Sequence, residues 1–225
     1  MGEPVGHSLS PRLHNAAFDA LGMDWVSVGF PVAAGAVRDA LAGIRALGIV
    51  GMSVTMPHKQ EAAAAVDERT PVADRLGAVN CIVRRDGRLV GDSTDGAGFV
   101  AALHRGMGFD PAGARCVVLG AGGAARAVVL ALADAGAEAV VVVNRTRARA
   151  EAAAALAGEA GSAGTPADVA GADLVVQAMP RGVAWTTSSR STPASCARAR
   201  WWPTWWCTPW RRPCWRRRPS AGRAL

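Results

Sequence analysis

The chain has 225 residues and a formal net charge of +7, but the charge is unevenly spread. Residues 181–225 hold ten Arg, no acidic residue and seven of the eight Trp, leaving residues 1–180 with 15 Lys+Arg against 18 Asp+Glu, a balance of −3. That mildly acidic, Ala/Gly/Val-rich body is long enough for a real core and has no basic face for nucleic acid; with no leader and no membrane-length apolar run, it is expected to be soluble and cytoplasmic.

In chain order, residues 1–11 form a loop ending in Ser10-Pro11, an N-cap followed by proline at the first helical position. The helix is expected to stop at Gly22 and to bury Leu13, Ala16, Ala17, Ala20 and Leu21. Trp25 to Phe30 reads as a strand. Val37, Leu41 and Ile44 recur at helical spacing before Gly48. Ile49 to Thr55 reads as a strand that runs into Met56-Pro57-His58-Lys59. Thr70-Pro71 repeats the capping device. Ala78 to Val83 and Leu89-Val90 read as a hairpin turning at Asp86-Gly87. A helix from about Ala97 to Arg105 leads to a linker at Gly106–Gly113. Strand 116–119, helix 123–135, strand 139–143, helix 146–157 and, after a Gly/Ser/Pro loop, strand 172–177 then alternate. That alternation implies a parallel sheet covered on both faces. Cys81 and Cys116 lie in apolar runs, as buried reduced thiols do.

The chemistry gathers at element ends. Gly120-x-Gly122-x-x-Ala125 lies between a strand and a helix, the context of a dinucleotide phosphate loop. Gly120 allows the turn, Gly122 lets backbone approach a pyrophosphate, and the helix start offers free N–H groups. The next strand ends in Asn144-Arg145-Thr146, with Arg147 and Arg149 behind. A site for NAD would place an acid there for the ribose 2′-hydroxyl. Neutral Asn followed by arginines suits a 2′-phosphate, hence NADP, although such arginines also decorate solvated helix starts. Upstream, Ser8 and Ser10 flank a helix N-terminus and suit a carboxylate, with plain capping as the alternative for Ser10. Lys59 behind Pro57 at a strand exit is placed for acid/base work. Asn80 in an apolar strand needs partners, and Asp95 caps the following helix or bonds a ligand. His7, His14 and His58 lack metal-ligand spacing, so no metal is expected.

These stretches resemble the shikimate dehydrogenase family. The matching blocks are Gly-Glu-Pro-Val-Gly-His-Ser-Leu-Ser-Pro (2–11), His-Asn-Ala-Ala-Phe (14–18), Val-Thr-Met-Pro-His-Lys (54–59), Gly-Ala-Val-Asn (77–80), Gly-Asp-Ser-Thr-Asp-Gly-Ala-Gly-Phe (91–99), Gly-Ala-Gly-Gly-Ala-Ala-Arg-Ala (120–127) and Asn-Arg-Thr (144–146). The resemblance implies an N-terminal α/β substrate domain over 1–100 and a Rossmann-like NADP domain over 101–180, the latter incomplete. It implies reversible reduction of 3-dehydroshikimate to shikimate by NADPH in aromatic amino-acid biosynthesis, in a monomer or homodimer that binds small molecules and neither nucleic acid nor membrane. Ser8 and Ser10 would hold the substrate carboxylate, with Thr55 and Asn80 completing the substrate shell. Lys59 would be the acid/base, with Asp95 paired to it and to a ring hydroxyl. Gly120, Ala121, Gly122, Gly123 and Ala124, with Asn144, Arg145, Thr146 and Arg149, would hold NADP. Two alternatives stay open: a dehydrogenase of quinate or a related polyol acid, and a non-catalytic fragment that binds small molecules.

The chain departs from the family in three places. Ser53 stands where the family has Asn. The family has an apolar strand before the first block, so Met1 is expected to be an internal Met taken as the start. From Arg181 the pattern is lost. Read one base earlier, Trp201–Trp210 can encode Val-Val-Ala-Asp-Leu-Val-Val-His-Pro-Val, similar to a family segment, so a frameshift between Ala178 and Trp201 is expected, with an aberrant, disordered tail over 181–225. The rival is a genuine Arg/Trp tail that binds membranes or nucleic acid.

Overall fold

The computed structural model describes residues 1–179 and the backbone of residues 206–209. The expected frameshift and, apart from that short backbone segment, the expected aberrant tail lie outside the described residues. The chain forms two α/β units, each built on its own sheet.

The first sheet runs β1 (Gly51–Ser53), β3 (Cys81–Arg85), β4 (Arg88–Asp92), β2 (Glu68–Arg69) in spatial order. The β3–β4 hairpin forms where the sequence predicts it. Its two-residue turn, Asp86 at φ 49° and Gly87 at φ 79°, has the paired positive φ angles that match strand twist. Helix α2 (Val37–Ala46) buries Val37, Leu41 and Ile44. These pack with Ala62 and Ala63 of α3 (Lys59–Ala65), with Val79 and with Ile82 and Leu89 of the hairpin. Thr70 caps α4 (Pro71–Leu76) as expected, its hydroxyl accepting from the Ala73 N–H at 3.4 Å.

The second sheet has the order β7 (Gly161–Ala163), β6 (Ala139–Val143), β5 (Arg115–Leu119), β8 (Leu174–Gln177), β9 (Trp206–Pro209), with its first four strands parallel. Val117, Val118 and Val140 to Val143 are buried, which explains their unbroken apolar runs in a sheet covered on both faces. Helix α6 (Gly123–Asp134) covers one face through Ala125, Val128, Val129 and Leu132, and α7 (Arg147–Ala154) follows β6. Strand order reverses between β6–β5 and β5–β8, so the crevice beyond their C-terminal ends is the topological switch point where ligands bind in such sheets.

Several expectations are corrected. Helix α1 (Ser10–Ala20) has no buried residue, and Leu13 and Leu21 are 67% and 72% exposed. Apolar spacing marks the side a helix can bury but does not supply the partner, and no described element covers this one. Instead α1 is tethered by Asn15, whose side chain bonds both backbone groups of Ser27, and by Phe18 edge-on to Trp25. Trp25 to Phe30 forms no strand; the Gly2 N–H bonds to the Phe30 carbonyl, and the bridge formed here pairs Gly2 with Pro31, just past the expected strand. Ser10 is the first helical residue and Leu9 the N-cap, so Ser10 does not cap. Its N–H lies 3.3 Å from the accepting Ser8 hydroxyl. The expected loop after helix 146–157 holds β7, whose Gly-Ser-Ala sequence carries no strand signal. Finally, Trp206–Pro209 pairs antiparallel with β8, although strand periodicity is lost there. An open strand edge accepts any extended backbone.

Candidate active site

Lys59 is the first residue of α3, immediately after the turn in which the His58 N–H bonds to the Thr55 carbonyl. Asp95 is the first residue of α5 (Asp95–Ala102), and Asn80 immediately precedes β3. These three come together although they lie far apart in the chain. Lys59 Nζ donates to Asp95 Oδ2 at 2.5 Å, and Asn80 Nδ2 donates to Asp95 Oδ1 at 2.6 Å. The Lys59 and Asp95 side chains are only 17% and 18% exposed. Asp95 therefore serves side chains and does not cap its helix. Its carboxylate is occupied at both oxygens, whereas Lys59 keeps ammonium N–H groups free of partners among the described residues.

Thr94, which sequence reasoning passed over, completes the cluster. Its N–H donates to Asn80 Oδ1 at 2.9 Å and its hydroxyl accepts from Asn80 Nδ2 at 3.1 Å. That fixes the amide orientation. The signal for it was its position between the two acids of Asp92-Ser-Thr-Asp95. Below Lys59, buried His58 donates from Nε2 to the Val32 carbonyl at 2.7 Å, which anchors the turn. Thr55 sits at the strand exit, its N–H bonded to the Met1 carbonyl. Glu3 bonds through its N–H to the Met56 carbonyl, so the chain leading to Ser8 and Ser10 leaves the sheet beside this turn. Neither serine bonds to the Lys59 cluster.

The glycine-rich loop faces the same place. Gly120 has φ 119°, a conformation glycine tolerates, and its N–H bonds to the Val143 carbonyl at 2.8 Å. A side chain on Gly120 would strike the Ala178 carbonyl, whereas Gly122 has nothing within 4 Å of where a Cβ would stand. Open space thus lies over the start of α6, whose N-terminus has no side-chain cap and no acid in its first turn. The N–H groups of Gly123 and Ala124 there are free of helix partners and could hold an anion, and the loop's shape fits a pyrophosphate. A methyl group on Gly123 would lie 3.9 Å from Lys59 Cδ, so loop and lysine share one cleft. At the end of β6, Asn144 Nδ2 donates to the Thr146 carbonyl at 3.0 Å and shapes the turn into α7. Arg147 is paired with Glu151, while Arg145 and Arg149 are exposed and have no ion-pair partner among the described residues.

Cys116 lies under the loop in β5, and burial pushes its thiol up to about 12. Cys81, which the sequence placed as a buried thiol, is only half-buried; both are free. Among the described residues no three His, Cys, Asp or Glu side chains are grouped to hold a metal, and no helix is long and apolar enough to cross a membrane.

Residues 1–82 match the family model of the shikimate dehydrogenase substrate-binding domain, and residues 104–179 match that of shikimate/quinate 5-dehydrogenase. A shikimate dehydrogenase (NADP(+)) of Citrifermentans bemidjiense is 51% identical over 129 residues, which is 57% of this chain and 44% of that protein. The chain thus spans less than half the length of the curated relatives it matches. Among solved structures, shikimate 5-dehydrogenase from Thermus thermophilus in complex with shikimate is 40% identical with a TM-score of 0.75, covering 81% of this chain and 68% of that one. The ligand-free 5-ketofructose reductase of Gluconobacter sp. strain CHM43 is 34% identical with a TM-score of 0.70, covering 79% and 66%.

Proposed function

The chain belongs to the shikimate dehydrogenase family, and from that premise we propose that it reduces 3-dehydroshikimate reversibly to shikimate with NADPH. The single observation that carries this reading is the Lys59–Asp95–Asn80 cluster, lying against the glycine-rich loop. When bound, NADPH supplies the hydride. Everything else falls to the chain's own side chains and backbone.

Reduction of a ketone leaves an alkoxide unless a donor stands at the oxygen. Lys59 would give a proton from Nζ to that oxygen and take it back in the reverse direction. Asp95, bonded to Lys59, keeps the ammonium aimed and offers its carboxylate to a neighbouring ring hydroxyl. Asn80, locked by Thr94, presents its amide to the substrate, and Thr55 closes the shell at the strand exit. Ser8 and Ser10, at the start of α1, would receive the substrate carboxylate. Gly120 to Ala124 would cradle the pyrophosphate. Asn144, Arg145, Thr146 and Arg149 would hold the ribose phosphate, with the two unpaired arginines forming charge-assisted bonds that a 2′-hydroxyl could not repay.

The likeness to 5-ketofructose reductase supports a second reading, reduction of another polyhydroxy ketone. An assay of the purified chain following NADPH absorbance with shikimate, quinate and 5-ketofructose separates the two. Turnover confined to 3-dehydroshikimate and shikimate is the expected result; no turnover with tight NADPH binding would leave a small-molecule-binding fragment. Lys59→Ala is expected to abolish turnover while leaving the NADPH Kd within about threefold, since general acid–base groups contribute about 10²–10⁴ to rate. Undiminished turnover would refute the role given to Lys59.

A further inference from the structure

Arg126 lies in the glycine-rich stretch, yet its side chain does not serve the loop. Its N–H closes the first turn of α6 on the Gly122 carbonyl at 2.9 Å. Its guanidinium turns to the other unit, where Nη2 donates to the Leu76 carbonyl at 2.9 Å while Nε is buried without a partner. Leu76 is the last residue of α4, and helix-end carbonyls need an outside donor. Arg126 is half-buried, and the Leu76 carbonyl it binds lies on the opposite unit, so the contact spans the seam.

What it holds is the strand-entry loop. From Leu76 the chain passes through Gly77, at φ 60°, to Ala78, Val79 and Asn80. Leu76 and Ala78 are packed on Ala127 and Leu130 of α6 in one dry cluster. The Val79 N–H bonds to the Lys59 carbonyl at 2.9 Å, and Asn80 bonds to Asp95. Only three residues separate the pinned carbonyl from Asn80, so the loop has little slack.

We propose that Arg126 is a positioning residue that ties the Leu76–Asn80 loop to the dinucleotide helix. By this tie it sets Asn80 and Lys59 in register with whatever lies on the glycine-rich loop. Arg126 spans the seam, so the group that places the substrate shell is encoded in the cofactor motif. The catalytic consequence rests on the function proposed above; the structural one does not.

The test compares Arg126→Met with Arg126→Lys in the full chain. Hydrogen exchange is expected to speed up at least about tenfold over residues 77–80 in Arg126→Met, with the amides of β5 and β6 unchanged, and less in Arg126→Lys, which keeps one donor. With shikimate and NADP, kcat of Arg126→Met is expected to fall about ten- to a hundredfold, as remote misplacement of a reacting group does, with the NADPH Kd within about twofold and partial rescue by Lys. Unchanged exchange at 77–80, or a uniform rise that includes β5 and β6, overturns the proposal. A parallel rise in the NADPH Kd also overturns it, because Arg126 would then be a cofactor ligand. If the unsubstituted chain turns over no shikimate, the functional reading fails, and the exchange data still decide the role of Arg126.

Discussion

Gly96 offers the sharpest test of how the two units are joined. It follows Asp95 in α5 and faces α6, where an added Cβ would lie 2.8 Å from both the Ala127 carbonyl oxygen and the Ala131 methyl. Non-bonded carbon contacts settle near 3.5–4.0 Å, so Gly96→Ala must part the helices by roughly 0.5–1 Å. Overpacking of this kind costs about 1–3 kcal/mol, and at about 2–4 °C per kcal/mol for a chain of this size the melting temperature should fall by roughly 2–12 °C. Gly98, in the same helix, has nothing within 4 Å. Gly98→Ala should raise the melting temperature, because alanine exceeds glycine in helix propensity by about 0.8–1.0 kcal/mol. The kinetic effect is separate. Asp95 holds bonds of 2.5 Å to Lys59 and 2.6 Å to Asn80, and a displacement of roughly 0.5–1 Å should lower kcat about tenfold or more in Gly96→Ala, with Gly98→Ala near the unsubstituted chain. Thermal melts and initial rates on the two variants suffice. If both variants melt alike, or if Gly96→Ala melts low but turns over normally, the close approach of α5 and α6 does not position Asp95.

Thr70→Ala removes both the cap of α4 and the hydroxyl that donates to Asp92, so stability should drop by about 1 kcal/mol, read by urea unfolding. Arg145→Ala with Arg149→Ala should weaken NADPH binding at least about tenfold and NADH binding little, measured by fluorescence titration; equal losses would mean that the arginines do not read the 2′-phosphate. Asp168 is held below the usual carboxylate range by the Thr165 backbone N–H, the Thr165 hydroxyl and Arg115, with burial opposing them. Its folded value thus lies below its unfolded one, so its contribution to stability is present above about pH 4 and is lost as pH falls through the folded value. The unfolding free-energy gap between the unsubstituted chain and Asp168→Asn should therefore shrink on acidification, and a gap constant from pH 7 to 3 would count against the linkage. Cys116, pushed up to about 12 by burial, should escape alkylation at pH 8 in the native state, as peptide mapping would show.

Several features governed by neighbouring residues were legible in the sequence, although the Ser10-Pro11 cap, of the same kind as Thr70-Pro71, does not form. The Asp86-Gly87 turn, the Thr70-Pro71 cap and the Gly120–Ala125 loop each follow from a few adjacent residues whose conformational limits are known in advance. Features that need a distant partner were not. The pattern of α1 marks a face without saying that nothing described covers it, and Trp25–Phe30 has strand composition but pairs in no sheet among the described residues. The candidate site sits between these cases. Lys59, Asn80 and Asp95 stood out because each ends an element, but their convergence on one carboxylate depends on the β1–β3 pairing and the α5–α6 packing. Arg126 was hidden for the opposite reason. It lies inside a motif whose other residues face the cofactor, and nothing local shows that its side chain crosses the seam.

The proton donor and the hydride donor would be supplied by different units: Lys59 by the first sheet's helix α3, and the cofactor cradle by α6. What brings them within contact is a narrow seam rich in small residues, with Gly96 against Ala127 and Ala131, Ala78 and Leu76 against Ala127 and Leu130, and Gly123 beside Lys59. Small side chains allow close approach, and they also leave little apolar area to resist parting. The seam therefore relies on directed bonds at its rim, Arg126 to Leu76 and Arg75 to Asp134. Arg126 is the more buried of the two, its Nε shielded while Nη2 makes the contact, whereas the Arg75 pair is exposed and worth little in water. Loss of the Arg75 pair should accordingly be silent in rate, whereas loss of Arg126 should not. Substitutions along the seam should be expressed in kcat more than in affinity, because each unit keeps its own ligand contacts while the distance between the two reacting groups changes.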